Sequence, residues 1–193
     1  MKGWQIATAL GLAGAVLFFV LKSKGARGPV RVGLLGDSMV AGICGRVAGQ
    51  VICSGHTGQG TAYILQHLNS VLDQSPTHVV VLAGVNDLAS GRSVETVKSN
   101  LSWIYEMIIA AGAIPVAVQL TPWATHTKGR TLIAETLSVN AWIQSRSGIR
   151  WVNTSSLGDG ETRLKSEYNA GDGLHLTSAG KQLLAELIEK KVK

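Results

Sequence analysis

The sequence predicts an α/β protein whose parallel sheet is covered by helices on both faces. Three observations carry this. Five short apolar segments recur from Val30 onward. Stretches with helical hydrophobic period alternate with them, and Gly, Pro or polar clusters stand at the junctions. Regular β/α alternation over one compact length builds a parallel sheet with crossover helices. In such sheets ligands bind outside the carboxyl ends of the strands, so the residues that follow each strand carry the functional argument.

The elements are taken in order. Val30 to Leu35 is an apolar strand that ends at Gly36-Asp37-Ser38, and Val40 to Ala48 is a short helix. Val51 to Cys53 is a second strand. A glycine-rich turn, SGHTGQGT, follows, and then a helix with Ile64, Leu65, Leu68, Val71 and Leu72 on one face. Ser75-Pro76 breaks that helix. His78 to Ala83 (HVVVLA) is apolar at consecutive positions, the pattern of a strand buried on both faces. GVNDLASG is the next loop. Val94 to Ala111 is a long helix striped by Val97, Leu101, Ile104, Tyr105 and Ile108, with Gly112 past its end. Ile114 to Leu120 is a strand, TPWATHTKG a loop, Arg130 to Arg146 a helix and Ile149 to Val152 the last strand. A polar loop runs to Gly173. Thr177 caps a final helix that turns Leu183, Leu184, Leu187 and Ile188 inward. No internal repeat is visible.

The chain has 193 residues, enough for one domain with a substantial core. It is 46% hydrophobic and only 16% charged, and the apolar excess lies at the front. Ile6 to Leu21 carries no charge; with Trp4 and Gln5 the stretch reaches 18 residues, the lower limit for a membrane-spanning helix. Residues 1–28 therefore read as a single-pass membrane anchor with a basic linker, and 29–193 as the folded domain. A cleaved signal peptide is the alternative, but KSKGARG is a poor cleavage site. Lys22, Lys24, Arg27 and Arg31 follow the span, which by the positive-inside rule places the domain on the cytoplasmic side. A short basic linker also suits anionic lipid from either face of the envelope membrane. The net charge of +6 comes largely from this linker and from Lys190, Lys191 and Lys193. No basic stripe interleaved with aromatics and no zinc-finger spacing points to nucleic acid. Cys44 and Cys53 form neither a CxxC nor a metal set; a disulfide in an exported domain and two buried free thiols both remain open.

Four polar clusters fall after strands, on one rim of the sheet. They are Gly36-Asp37-Ser38, Gly58 in the glycine-rich turn, Gly84-Val85-Asn86-Asp87, and Asp172-Gly173-Leu174-His175 before the last helix. Acyl transfer needs a hydroxyl nucleophile, a base, a group to orient the base, and donors aimed at the oxyanion. Ser38 at a strand-to-helix turn offers the hydroxyl, His175 the base and Asp172 the orienting carboxylate. The backbone N–H groups of Ser38 and Gly58 and the amide of Asn86 are the candidate oxyanion donors. Each cluster alone has a plainer reading, as a capped turn or an Asx turn. All four in order do not.

In these blocks the chain resembles the SGNH, or GDSL-like, hydrolases: GDS at 36–38, Gly58 within SGHTGQGT, GVND at 84–87 and DGLH at 172–175. The resemblance covers about Val30 to Lys190. It implies a flavodoxin-like three-layer α/β/α sandwich with a five-stranded parallel sheet. It also implies an esterase or thioesterase acting without a cofactor, with Ser38 as nucleophile, His175 as base, Asp172 as its partner, and Ser38, Gly58 and Asn86 around the oxyanion. Met39 stands where the family usually has leucine, at a position that packs rather than reacts. Gly55 and Gly60 flank Gly58 closely.

Other signals are weaker. GHTGQG has the spacing G-x-x-G-x-G and no following acidic residue, against the dinucleotide-binding pattern. His56 and Trp123 are candidate substrate contacts, set against a solvated loop histidine and a packed loop aromatic. The Thr121 to Arg130 loop, with His126, Lys128 and Arg130, is expected to overhang the cleft. Asp87 is expected to fix its own turn; Trp103, Trp142 and Trp151 to pack; His67 and His78 to lie at the surface and a strand edge. Asp159 and Glu161 lack calcium-loop spacing. The expected activity is hydrolysis of short acyl esters, acetyl foremost, on envelope carbohydrate or peptidoglycan, or on lipid. The alternative is a membrane-tethered binding or structural component on a vestigial hydrolase fold.

Overall fold

The computed structural model describes residues 29–123, 126–127 and 130–193. The expected anchor and linker, 1–28, lie outside the described residues. Among those described, no helix is long and apolar enough to cross a membrane.

Five strands form one parallel sheet in the order β2-β1-β3-β4-β7. They are β1 (Arg31–Gly36), β2 (Gln50–Gly55), β3 (His78–Leu82), β4 (Ile114–Val118) and β7 (Arg150–Val152). A two-stranded antiparallel ribbon, β5 (His126–Thr127) and β6 (Arg130–Thr131), lies in the loop after β4. Val32 pairs in register with Val51 and His78, Val80 with Val116, and Ala117 with Trp151. This is the flavodoxin-like strand order, and its crossovers reverse direction between β1 and β3.

The helices cover both faces. Short α1 (Ser38–Ala41) and the last helix, α7 (Ser178–Val192), lie on one side. Arg46 Nη2 donates to Ser178 Oγ, and Ala48 N to Glu189 Oε1, which joins the α1 segment to α7. The other side holds α2 (Thr61–Gln66), α3 (Leu68–Leu72), α4 (Val85–Ala89), α5 (Val94–Ala110) and α6 (Ile133–Ser145). The glycines show how close the layers come. A Cβ on Gly33 would strike Val71 of α3, and one on Gly36 would strike Val40 of α1 and the Leu82 carbonyl. β1 and β3 are buried nearly throughout, as their unbroken apolar runs require.

The element boundaries differ from expectation in four places. The helix expected over Val40 to Ala48 is one turn, because Gly42 caps it and Cys44 is bonded to Cys53 of β2. The helix after the glycine-rich turn breaks at His67 into α2 and α3. GVNDLASG is not a loop: it holds α4, entered from Gly84 at φ 131. The helix expected from Arg130 starts at Ile133, after β6.

Two side chains lie elsewhere than expected. His78 is buried, between Thr77 Oγ1 and Arg150 Nη1, rather than at an edge. Trp103 is exposed rather than packed. Arg150 also donates to the carbonyls of Lys191 and Lys193, so it ties the end of α7 to the amino-terminal edge of the sheet.

Candidate active site

Asp37 and Ser38 stand where β1 becomes α1. Asp37 is the N-cap, with extended backbone, and its Oδ1 accepts from Met39 N at 2.9 Å. Ser38 is the first helical residue, where backbone N–H groups have no intrahelical acceptor. Its Oγ lies 3.0 Å from Nε2 of His175.

His175 sits in the loop before α7. Its Nδ1–H donates to Asp172 Oδ2 at 2.5 Å, which leaves Nε2 to accept from the Ser38 hydroxyl. Asp172 Oδ1 accepts from Leu174 N at 3.0 Å and His175 N at 2.8 Å. Asn169 Oδ1 takes the N–H groups of Gly171 and Gly173, and Ala170 N donates to the His175 carbonyl. The loop is thus folded by its own side chains, with both glycines at positive φ. The hydrogen bond from His175 holds the Asp172 carboxyl down at about 2, with the two backbone N–H groups helping against slight desolvation. Both side chains are about half exposed, 45% for His175 and 53% for Asp172.

Gly58 and Asn86 stand on the two flanking strand ends. Gly58 has φ 75 and lies open to solvent; a Cβ there would touch nothing, so its glycine serves backbone shape rather than space. Asn86 Nδ2 donates to the carbonyl of Gln59 at 3.0 Å, which fastens α4 to the turn that carries Gly58 and leaves a second N–H on the amide. Ser38, Gly58 and Asn86 therefore follow three adjacent strands, β1, β2 and β3.

Asp87 does not fix its own turn. Its carboxylate crosses to α2, where it accepts from Thr61 N at 2.7 Å and Thr61 Oγ1 at 3.0 Å, and Asn100 Nδ2 donates to the same hydroxyl. Gly60 gives it room, since a Cβ there would press on both carboxylate oxygens at 2.9 Å.

Two candidate contacts lie outside this group. Trp123 is buried at 2% exposure, and its Nε1 donates to Thr136 Oγ1. It is core, held by α6, because an indole with a buried partner packs rather than faces solvent. His56 points its Nε2 at Ser54 Oγ and packs edge-on against Tyr63 and beside His67. Burial, aided by the charge of His67, pulls its pKa down.

The residue to which sequence reading gave no role of its own is Asp37. It is 1% exposed, and its Oδ2 is buried with no hydrogen-bond partner among the described residues. Burial pushes its carboxyl up to about 6, against the Met39 N–H and the His175 charge, which pull down. Among the described residues no three His, Cys, Asp or Glu side chains are placed to hold a metal. The hydroxyl, imidazole and carboxylate form one hydrogen-bonded line, able to move a proton from Ser38 to His175.

Residues 34–183 match the GDSL-like Lipase/Acylhydrolase family. No curated protein matches the chain. Several solved structures share its fold. A Bacteroides fragilis protein superposes with a TM-score of 0.76 at 23% identity, covering 84% of this chain and 86% of its own. A GDSL-like lipase from Bacteroides thetaiotaomicron gives 0.72 at 22% identity, over 84% and 87%. The psychrotrophic esterase EstA from a Pseudoalteromonas species, in a structure inhibited by monoethylphosphonate, gives 0.65 at 18% identity, over 84% and 96%.

Proposed function

The chain belongs to the GDSL-like lipase/acylhydrolase family, and from that premise we propose that it is a serine ester hydrolase working through an acyl-enzyme on Ser38. The observation that carries this reading is the 3.0 Å hydrogen bond from the Ser38 hydroxyl to His175, continued to Asp172. His175 Nε2 takes the hydroxyl proton as Oγ bonds to the ester carbonyl carbon. The carbonyl oxygen becomes the oxyanion, met by Ser38 N–H, Gly58 N–H and the Asn86 amide. Asp172 holds the imidazole in its tautomer and steadies the imidazolium. Collapse breaks the ester C–O bond, and His175 returns the proton to the departing alcohol. Water then attacks the acyl-enzyme with His175 again as base, and releases the acid and free Ser38.

The substrate class is a short acyl ester, acetyl first, on a large carrier such as an envelope polysaccharide or peptidoglycan, with lipid esters second. The half-exposed His175 and Asp172 support a site open enough for a polymer. Residues 1–28 tether the domain to the membrane in this reading. The Cys44–Cys53 disulfide supports an oxidising compartment, and so the exported side of the envelope rather than the cytoplasmic side that the basic linker alone predicts.

The test assays the full chain on p-nitrophenyl acetate, butyrate and octanoate. Ser38→Ala is expected to lose at least roughly 10³-fold in kcat. A p-nitrophenyl alkylphosphonate ester is expected to inactivate the wild type: Ser38 Oγ bonds to phosphorus, p-nitrophenolate leaves, and the added phosphonyl mass stays on the peptide that carries Ser38. Equal turnover by wild type and Ser38→Ala overturns the reading. Inertness of both on these esters and on acetylated glycans leaves the binding role instead.

A further inference from the structure

We propose that Asp37 is a second carboxylate of this site, kept buried and unpaired at rest so that the imidazolium formed on His175 during acyl transfer becomes its charge partner. The inference rests on the roles given above to Ser38 and His175. Asp37 acts through His175 and touches no substrate, so it is a positioning residue rather than a catalytic one.

The argument starts from what Asp172 cannot do alone. Its side chain is 53% exposed, where water and salt weaken the attraction it offers an imidazolium. Asp37 is 1% exposed, directly before the nucleophile. Capping explains only half of its chemistry. Oδ1 takes the Met39 N–H, a task that Ser or Asn performs without charge. Oδ2 is buried with no partner among the described residues, an unusual state for a carboxylate.

Its charged surroundings are few. His175 attracts it only when charged, Asp87 repels it, and the backbone N–H groups of Met39 and of Asp37 itself favour its ionised form. Asp87 is already satisfied by Thr61 N and Oγ1. The uncompensated charge is thus on Asp37, and the positive charge able to answer it arises on His175 only as the reaction proceeds. An interaction stronger in the transition state than at rest is what accelerates a chemical step, and burial strengthens it.

The experiment compares the full chain as wild type, Asp37→Asn and Ser38→Ala on p-nitrophenyl acetate from pH 5 to 9. Asp37→Asn keeps the cap acceptor and removes the charge. It is expected to lower kcat roughly tenfold at pH 8 with KM unchanged. The deficit is expected to vanish below about 6, where the wild-type carboxyl is itself protonated. A deficit constant across pH, or none, overturns the inference. Ser38→Ala separates the two levels. If it is dead while Asp37→Asn behaves as wild type, only this inference falls; if it is active, the reading of the site falls with it. Asp37→Ser, a smaller cap, is expected to show the same pH signature. Should neither variant fold, the wild-type carboxyl is followed by carbon-13 NMR. Titration near 6 supports the inference, and titration at the ordinary carboxylate value overturns it.

Discussion

At the scale of single residues, two carboxylates beside one histidine respond to pH in opposite ways. Asp37 titrates at about 6 in the folded chain against 3.8 for an ordinary aspartate. Its folded form holds the proton more tightly, so it costs nothing below about pH 4, and stability is lost as pH rises to about 6. The full difference is about 3 kcal/mol. Calorimetry of Asp37→Asn against wild type is expected to show the variant gaining relative stability from pH 4 to pH 7. A difference independent of pH contradicts this. Asp172 runs the other way: its contribution is present above about pH 4 and fades as pH falls toward 2.

Much of the hydrogen-bonded grouping at the candidate site was legible from the chain. Ser38, Asp172 and His175 sit in short blocks, and DGLH folds its own loop through Asp172 and Asn169. The state of Asp37 was not legible, because burial and a missing partner are tertiary facts. Neither was the fate of Trp123, whose partner Thr136 lies on a helix beyond the loop. Asp87 joins two segments 26 residues apart, which no local pattern records.

At the scale of elements, α1 is held against β2 by contact rather than by length. A Cβ on Gly55 would collide with the backbone of Ala41. Gly55→Ala is therefore expected to push α1, and Ser38 with it, away from the sheet. The expected cost is about 1–3 kcal/mol by urea denaturation, with a parallel loss of esterase rate. Unchanged activity would show that α1 tolerates the shift. The Cys44–Cys53 bond joins the same two elements across a sequence separation of 9. The double variant Cys44→Ser, Cys53→Ser is expected to lose about 2–3 kcal/mol, and reducing agent to lower the melting temperature of the wild type alone. Strands were readable because each is a compact apolar run. The helices at the site were not: α4 is entered from Gly84 and holds Asn86 and Asp87, which read as turn formers, and α1 is cut short by Gly42 and the disulfide.

At the scale of the whole molecule, the strand order places three of the four polar clusters on neighbouring strand ends, and the loop before α7 brings the fourth over them. The β/α alternation predicted that rim, and the order β2-β1-β3 explains why Gly58, Ser38 and Asn86 share it. Arg150, His78 and the end of α7 close the opposite edge of the sheet.

That opposite edge is where β1 begins, at Arg31. A six-residue strand is about 20 Å long, so the amino-terminal end of β1 and the reacting hydroxyl are a strand length apart. A domain held by its amino-terminal side therefore works like a brush fixed by its handle. The bristles meet what stands off the surface before they meet the surface itself. For an immobilised form of this protein, tethering before β1 leaves the working end free, while tethering through the loop before α7 would bury it.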